Sequence, residues 1–275
     1  MLKFRPLAVV GVLLVVAGSA AIAEQLAATL SPEQQREFLL KAKVIGSRPA
    51  GKGVTGSLRL TLSDGTVTHD AGFQTIDDRM SAEDRVRGRR KAGEHNFVDS
   101  YKYNVAAYEI ARLIGLDQMI PVTVERRIRG RTGSLSWWVD DVMMDELERE
   151  KQNVQPPNAV AYSRQYQSMT VFGELLRDVD RNKTNTLYTK DWRHIMIDFS
   201  RAFRLDKELR NPESLQQCTR DLYEKLKALT EADVRKAVGV LLTSQEVAGV
   251  IARQKLIVER FDLLIRERGE AAVLY

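Results

Sequence analysis

Apolar and polar side chains alternate along residues 43–77, around glycines that interrupt the pattern. A two-residue period places every second side chain on one face of a strand, so half-buried β-strands are predicted here. The apolar face is clearest in three leucines, Leu58, Leu60 and Leu62. The Ser-Asp-Gly sequence at residues 63–65 predicts a hairpin turn between two strands. A second pair of strands is predicted over residues 119–142, with its turn at residues 129–133.

Apolar side chains recur with a helical period of about 3.6 residues in most other segments. The clearest helix covers residues 99–116, DSYKYNVAAYEIARLIGL, and Gly115 predicts its end. An earlier helix is predicted from Ser31 to about Ala42, because serine caps helices and the proline after it suits the first helical position. The period predicts further helices over residues 145–152, 162–177, 211–229, 230–242 and 243–269.

These elements predict an α+β fold with two parts of different character. Residues 24–141 hold the strands and one major helix, and residues 142–275 are mostly helical. A charged segment within the first part, residues 77–94, is predicted to be a loop or an irregular helix. At 275 residues the chain can form one large domain or two small ones.

Residues 1–23 are predicted to be a secretory signal. Lys3 and Arg5 precede an apolar run that starts at Leu7, and Ala-Ile-Ala at the end is a small-x-small cleavage pattern. The alternative is an uncleaved anchor, because the run is only slightly shorter than a bilayer span. The protein is therefore expected to be exported, periplasmic or extracellular, and to meet a membrane only through a possible N-terminal anchor.

Charge and cysteine content narrow the classes of partner. The formal net charge is +5, from 42 basic and 37 acidic residues, and no basic run is interleaved with aromatic residues. This argues against nucleic acid as a partner. The basic cluster RVRGRRK, residues 85–91, is either a solvated loop or a patch that binds phosphate or a partner. Cys218 is the only cysteine, which excludes an intramolecular disulfide and a cysteine-based metal site.

Residues 175–203, LLRDVDRNKTNTLYTKDWRHIMIDFSRAF, carry the candidate chemistry. Asp180 and, five residues later, Asn185 lie in a polar loop, and an apolar strand then ends on Asp198. Such hard oxygen ligands hold Mg²⁺ or Mn²⁺ against nucleotide phosphates, and phosphoryl transfer also needs a carboxylate that orients the attacking hydroxyl. The alternative is ordinary turn chemistry, because Asp and Asn are common turn residues. Arg181 is expected to hold the loop through a salt bridge.

The order of these parts resembles the atypical kinase superfamily, which includes HipA-type kinases, phosphoinositide kinases and secreted Golgi casein-kinase-like enzymes. DVDRNKTNTL is similar to the catalytic loop of that superfamily, and IDFSRAF to its metal-binding segment. NVAAYEIARLIGLDQMIPVTVERRI is similar to a helix and strand of its N-lobe, and GKGVTGSLRLTLSDG to the hairpin that covers the phosphates. The resemblance covers most of residues 44–204 and implies a bilobal protein-kinase-like fold.

The resemblance also implies roles for individual residues. Asp180 would be the catalytic acid, and Asn185 and Asp198 would bind the Mg²⁺ or Mn²⁺ that accompanies ATP. The residues expected at the nucleotide are Lys52, Gly53 and Thr55 in the hairpin and Gln74 in a later strand. The implied function is ATP- and metal-dependent phosphoryl transfer to a hydroxyl of a protein, sugar or lipid.

Two positions depart from the pattern of that superfamily. Its phosphate-gripping strand lysine corresponds to Gln74, and the helix glutamate that holds this lysine corresponds to Asn104. A neutral hydrogen bond contributes about 0.5–1.5 kcal/mol, against about 1.5–3 kcal/mol for a charged one, so the amide pair weakens the case for an active kinase. One alternative is a pseudokinase-like binding module with little or no catalysis. Another is nucleotidyl transfer, in which AMP is moved.

Other residues have two open interpretations. Four lysines are candidate substitute cations or simple surface residues: Lys52, Lys91, Lys102 and Lys183. Trp137 and Trp138 end a predicted strand at the place of a kinase hinge, where adenine stacks. Aromatic packing between the lobes is the alternative role for them.

Overall fold

The computed structural model of the protein describes residue 27 and residues 30–51, 57–79 and 98–275. The predicted signal at residues 1–23 lies outside the described residues, as does the basic cluster at residues 85–91. The same holds for three predicted nucleotide-binding residues, Lys52, Gly53 and Thr55. Within the described part of the chain, no helix has the length and apolar character that crossing a membrane requires.

The first part of the chain is an antiparallel sheet with two helices packed on it. Its elements are α1 (Pro32–Lys41), β1 (Lys43–Pro49), β2 (Leu58–Ser63), β3 (Thr68–Gln74), β4 (Asp77–Arg79), β5 (Val98–Ser100), α2 (Tyr101–Ile114), β6 (Thr123–Ile128) and β7 (Arg131–Trp137). Five strands form the main sheet in the order β1-β2-β3-β7-β6, and β4 pairs with β5. Helices α1 and α2 both contact β6 and β7.

Local sequence signals account for several of these elements. The Ser31 side chain accepts from the backbone N–H of Gln34 at the start of α1, which is the predicted serine cap. Asp64 closes the β2–β3 turn, because its carboxylate accepts from the N–H groups of Thr66 and Val67. Gly115 ends α2 with a φ of 73°, a left-handed conformation that glycine adopts at little cost. The predicted first helix, hairpin and major helix are therefore confirmed.

The second part combines a small sheet with helices. Its elements are β8 (Val142–Asp145), α3 (Glu146–Lys151), α4 (Ala159–Leu176), β9 (Thr186–Thr189), β10 (His194–Met196), α5 (Arg220–Ala228), α6 (Glu231–Val238), α7 (Ser244–Arg268) and α8 (Glu270–Val273). The three strands are antiparallel in the order β10-β9-β8. The α+β class predicted from the sequence is confirmed.

Two local predictions were wrong, and strands β8 and β9 were not predicted at all. Asp77–Arg79 is a strand that pairs with β5, where a loop or irregular helix was expected. The helix predicted over residues 211–229 begins only at Arg220. The preceding Cys218 instead pairs with the C-terminal segment: its N–H donates to the Val273 carbonyl, and its carbonyl accepts from Tyr275. An extended backbone is needed for those bonds.

Helix α2 connects the two parts of the molecule. It is buried along most of its length, and it contacts α5 and α6 as well as the main sheet. At its first turn, the Tyr103 hydroxyl donates to the buried carboxylate of Glu246 on α7. The helix that carries Asn104 is thus held from both sides.

Candidate active site

A cleft of about 510 Å³ lies between the main sheet and the strands β9 and β10. Its sheet side includes small or polar residues, Gly72, Gln74, Ser134 and Ser136. Its other side includes Leu187, Met196 and Asp198, and Asn104 of α2 lines the inner end. Three residues selected from the sequence, Gln74, Asn104 and Asp198, therefore line one cavity.

The loop between α4 and β9 is built around Arg181. Its guanidinium donates to Asp178 Oδ2 from Nε at 2.8 Å and from Nη2 at 2.5 Å. Its Nη1 donates to the carbonyls of Asn185 at 2.8 Å and Ile197 at 2.6 Å. Since Ile197 precedes Asp198, these bonds join the loop to the segment that carries the candidate metal ligand. The prediction that Arg181 holds the loop is confirmed.

Asp180 lies on this loop beside a cation. Its Oδ2 is 3.4 Å from Arg201 Nη1, and 43% of its side chain is exposed. Burial raises the pKa of the Asp180 carboxyl above its ordinary value, Arg201 opposes this shift, and the Asp198 carboxylate adds to it. A carboxylate whose pKa is raised in this way is a better proton acceptor than a free aspartate.

Asn185 and Asp198 are placed by the backbone around them. Asn185 Nδ2 donates to the Asp180 carbonyl at 3.3 Å, which turns the amide oxygen Oδ1 away from that bond. The Ile197 N–H donates to the Asn185 carbonyl at 3.0 Å. Asp198 has a φ of 54°, in a region that Asp tolerates better than most residues, and its side chain is exposed.

These residues fit a divalent ion that is shared with a bound phosphate. In the part of the chain that the structure describes, no three His, Cys, Asp or Glu side chains are grouped to hold a metal alone. Mg²⁺ and Mn²⁺ prefer oxygen ligands, and Mg²⁺ is commonly held by one or two carboxylates plus substrate phosphates. The Asp198 carboxylate and the Asn185 amide oxygen match that pattern, provided a ligand completes the coordination.

Gln74 and Asn104 are in direct contact at the inner end of the cleft. Asn104 Nδ2 donates to Gln74 Oε1 at 2.5 Å, and both side chains are buried. Asn104 Oδ1 accepts from the backbone N–H of Phe199 at 2.7 Å. The two positions that the resemblance assigns to a lysine and a glutamate are thus adjacent, but they carry two neutral amides.

No protein-family model and no curated protein matches the chain. Its fold does match solved structures. The structure of hydra Fam20 with sugar superposes with a TM-score of 0.65 at 14% identity, over 88% of this chain and 91% of that chain. The Golgi casein kinase with Mn/ADP bound superposes with a TM-score of 0.62 at 10% identity, over 88% of this chain and 78% of that chain. The chain has an atypical kinase-like fold.

Trp137 is the last residue of β7 and Trp138 follows it, at the place where the resemblance implies a kinase hinge. Trp137 stacks on His69 with ring centres 3.7 Å apart and meets Phe38 edge-on. The Arg59 guanidinium lies 4.0 Å from the ring centre of Trp138. The contacts of Trp137 are aromatic packing within the strand-rich part. Both tryptophans also line the cleft, so a role at a bound base stays a prediction.

The candidate substitute lysines do not line the kinase-like cleft where the structure describes them. Lys102 Nζ lies 2.8 Å from Asp77 Oδ2, and Lys183 pairs with Glu150. Lys52 and Lys91 lie outside the described residues. Among the described residues that line the cleft there is no lysine, arginine or histidine, whereas Asp140 and Asp198 are present.

Sequence reasoning missed a set of contacts that joins β5, the strand immediately before α2, to the segment after Asp198. Arg201 Nε donates to the buried Asp99 at 3.2 Å, while its Nη1 faces Asp180. The Ser100 N–H donates to the Ser200 carbonyl at 2.8 Å. The only available signal was an arginine three residues after Asp198 in IDFSRAF, and nothing in that spacing indicates a partner about 100 residues earlier.

Proposed function

We propose that the protein is a metal- and ATP-dependent phosphotransferase that acts on a hydroxyl of a protein, sugar or lipid. The observation that carries this proposal is that the loop with Asp180 and Asn185 is bonded to the segment that ends on Asp198. Asn185 is bonded to the Asp180 backbone, and Arg181 bonds both that loop and the residue before Asp198. These bonds support a site in which Asp180 would accept a proton and Asn185 and Asp198 would supply oxygen ligands for a metal, with Asp198 lining the cleft.

Each residue would have a distinct part in the reaction. Asp180 would orient the acceptor hydroxyl and take its proton. The Asp198 carboxylate and the Asn185 oxygen would hold Mg²⁺ or Mn²⁺, which neutralises charge on the phosphates when bound. Arg201 would keep Asp180 in place through their ion pair. The two basic residues and the apolar run within residues 1–23 support export as the setting for this activity.

The amide pair favours a second function, a pseudokinase-like module that binds nucleotide with little or no catalysis. Gln74 and Asn104 supply hydrogen bonds but no positive charge. A charged hydrogen bond contributes more than a neutral one, by about 1–1.5 kcal/mol, and each ~1.4 kcal/mol of barrier is tenfold in rate. The neutral pair is therefore expected to lower the rate strongly.

Transfer from ATP labelled on either the γ- or the α-phosphate distinguishes these functions. The purified protein would be incubated with Mn²⁺ and each labelled ATP. The label released as free phosphate and the label attached to a macromolecule would both be measured. The matched pair of variants is Asp180→Asn and the surface substitution Asp191→Asn. Metal-dependent release or transfer of the γ-label that is lost only in Asp180→Asn supports the phosphotransferase. Transfer of the α-label indicates AMP transfer, and nucleotide binding without movement of either label contradicts both enzymes.

A further inference from the structure

Arg201 contacts two aspartates from different parts of the chain. Its Nε donates to Asp99 Oδ2 at 3.2 Å, and its Nη1 lies 3.4 Å from Asp180 Oδ2. The guanidinium therefore bridges strand β5 and the candidate proton acceptor. A guanidinium can form such a bridge because its N–H groups make a rigid planar fork, whereas a lysine ammonium is a single point charge.

Asp99 is the buried end of this bridge. Its side chain is 5% exposed, against 37% for Arg201 and 43% for Asp180. Backbone bonds hold the strand around Asp99 in place: β5 pairs with β4, and the Tyr101 N–H donates to the Ile76 carbonyl at 2.7 Å. Asp99 is therefore the fixed point of the bridge, and Asp180 is its exposed end.

The Asp99 carboxylate lowers the stability of the folded state through its own burial. Its second oxygen, Oδ1, is buried and has no hydrogen-bond partner in the part of the chain that the structure describes. A buried acceptor without a partner costs free energy, and a charged one costs more than a neutral one. The bridge also sets two carboxylates beside one guanidinium. A neutral side chain of the same shape at residue 99 would relieve both effects.

We propose that Asp99 is a positioning residue, which acts through Arg201 to hold Asp180 in the orientation that accepts the proton of the attacking hydroxyl. This inference rests on the proposed function. Without Asp99, the contact between Arg201 and Asp180 is an exposed ion pair, and such pairs contribute little. Asp180 then samples several side-chain orientations. A displacement of about 1 Å at a reacting group can lower a rate about 100-fold.

Stability and rate should respond differently to Asp99→Asn. Asparagine has the same shape, and its amide oxygen still accepts from Arg201, but a neutral bond is weaker than a charged one. The variant should leave Tm unchanged or raise it, because a buried charge is removed, and should lower kcat by about 3–10-fold. Asp99→Leu keeps the branching of aspartate and accepts no hydrogen bond, so kcat should fall by about 10–100-fold. Arg201→Lys keeps the charge but not the fork and should lower kcat to a similar degree.

Asp191→Asn is the matched control. Asp191 Oδ2 accepts from Arg193 Nε at 3.0 Å, and Arg193 Nη2 lies 3.0 Å from Asp141, so this arginine also bridges two carboxylates. The side chains of this second bridge are largely exposed, and none of the three residues lines the cleft. Asp191→Asn should therefore leave kcat unchanged.

The experiment measures turnover, nucleotide binding and stability for the whole chain and each variant of it. Turnover is the γ-label that leaves ATP in the presence of Mn²⁺, to water or to a macromolecule, and its dependence on ATP gives kcat and KM. Calorimetric titration with ADP and Mn²⁺ gives Kd, and thermal unfolding gives Tm. Neither Asp99 nor Arg201 lines the cleft. We therefore expect KM and Kd to stay at the wild-type values in the Asp99 variants, the pattern of an interaction that acts on the transition state alone.

The outcomes separate this inference from the proposed function. A lower kcat in Asp99→Asn and a still lower one in Asp99→Leu, with KM, Kd and the Tm of Asp99→Asn maintained, supports the positioning role. If Asp99→Leu turns over as fast as Asp191→Asn, the inference is overturned while the phosphotransferase remains. A Tm of Asp99→Asn that falls along with kcat also overturns it, because Asp99 then only supports the fold, and so does a raised KM and Kd at unchanged kcat. If no γ-label leaves ATP with the wild type, both the inference and the proposed function fail.

Discussion

Replacing Arg181 with alanine should destabilise the protein far more than loss of a surface charge. Asp178 has a side chain only 1% exposed, and Arg181 Nη2 lies 2.5 Å from it. Truncation leaves that carboxylate buried without its cation and removes two bonds to backbone carbonyls. Breaking a buried ion pair in this way costs about 3–5 kcal/mol. For chains of roughly this length each kcal/mol lowers Tm by about 2–4 °C, so a loss of about 6–20 °C is expected.

The assay is thermal unfolding of Arg181→Ala beside the control Arg193→Ala. Arg193 also pairs with two carboxylates, but half of its side chain is exposed, so its loss should cost less than about 1 kcal/mol. Adding Asp178→Asn to Arg181→Ala removes the uncompensated charge and should recover part of the lost Tm. If Arg181→Ala melts within about 2 °C of the control, corresponding to under ~1 kcal/mol, the buried-pair reasoning is refuted.

Two further predictions concern packing and pH. Gly133→Ala should lower Tm, because the added Cβ would lie 2.3 Å from the Gln74 carbonyl oxygen. The control Gly173→Ala, in helix α4, places its Cβ near nothing within 4 Å and should leave Tm unchanged or raise it. Equal Tm changes in the two variants would contradict this. Burial lowers the pKa of His194 from 6.5 to about 4, so the unfolded chain takes up its proton first as pH falls. Stability should therefore be full above pH 6.5 and fall between pH 6.5 and 4, by about 3 kcal/mol from this group. Urea unfolding at both ends of that range should show a smaller fall for His194→Phe, and an unchanged fall would contradict the assignment.

Elements with a long regular period could be predicted from the sequence. Helix α2 shows its 3.6-residue period over four turns and has a glycine at its end, and the β2–β3 hairpin combines alternation with turn residues. Strands β8 and β9 have only four residues each, too few to display a period. Their pairing joins segments about 45 residues apart, which no local pattern reports.

The candidate site was predictable to a similar degree. The spacing of Asp180, Asn185 and Asp198 predicts oxygen ligands, because those residue types carry the chemistry themselves. Their scaffold was only partly foreseen. Arg201 reaches Asp99, and Asn104 reaches Phe199, through tertiary contacts that depend on how α2 docks against the second part of the chain.

Tertiary contacts also explain why the helix predicted from residue 211 begins only at Arg220, the start of α5. Residues 212–214 form a single 3-10 turn, and Cys218 bonds the C-terminal segment instead of joining α5. Local propensity contributes only tenths of a kcal/mol per residue, and such tertiary bonds override it.

A thermal-shift titration with ADP and Mn²⁺ tests the nucleotide–metal site most directly. It would compare the wild type with Asp198→Ala and with the surface control Asp191→Ala, each with ADP alone, Mn²⁺ alone and both together. A ligand at a hundred times its Kd stabilises the folded state by about 2.7 kcal/mol, or roughly 5–10 °C at this chain length. We predict that shift with ADP and Mn²⁺ together, retained in Asp191→Ala and lost in Asp198→Ala. Cooperative melting with no shift under any nucleotide and metal condition would contradict the site.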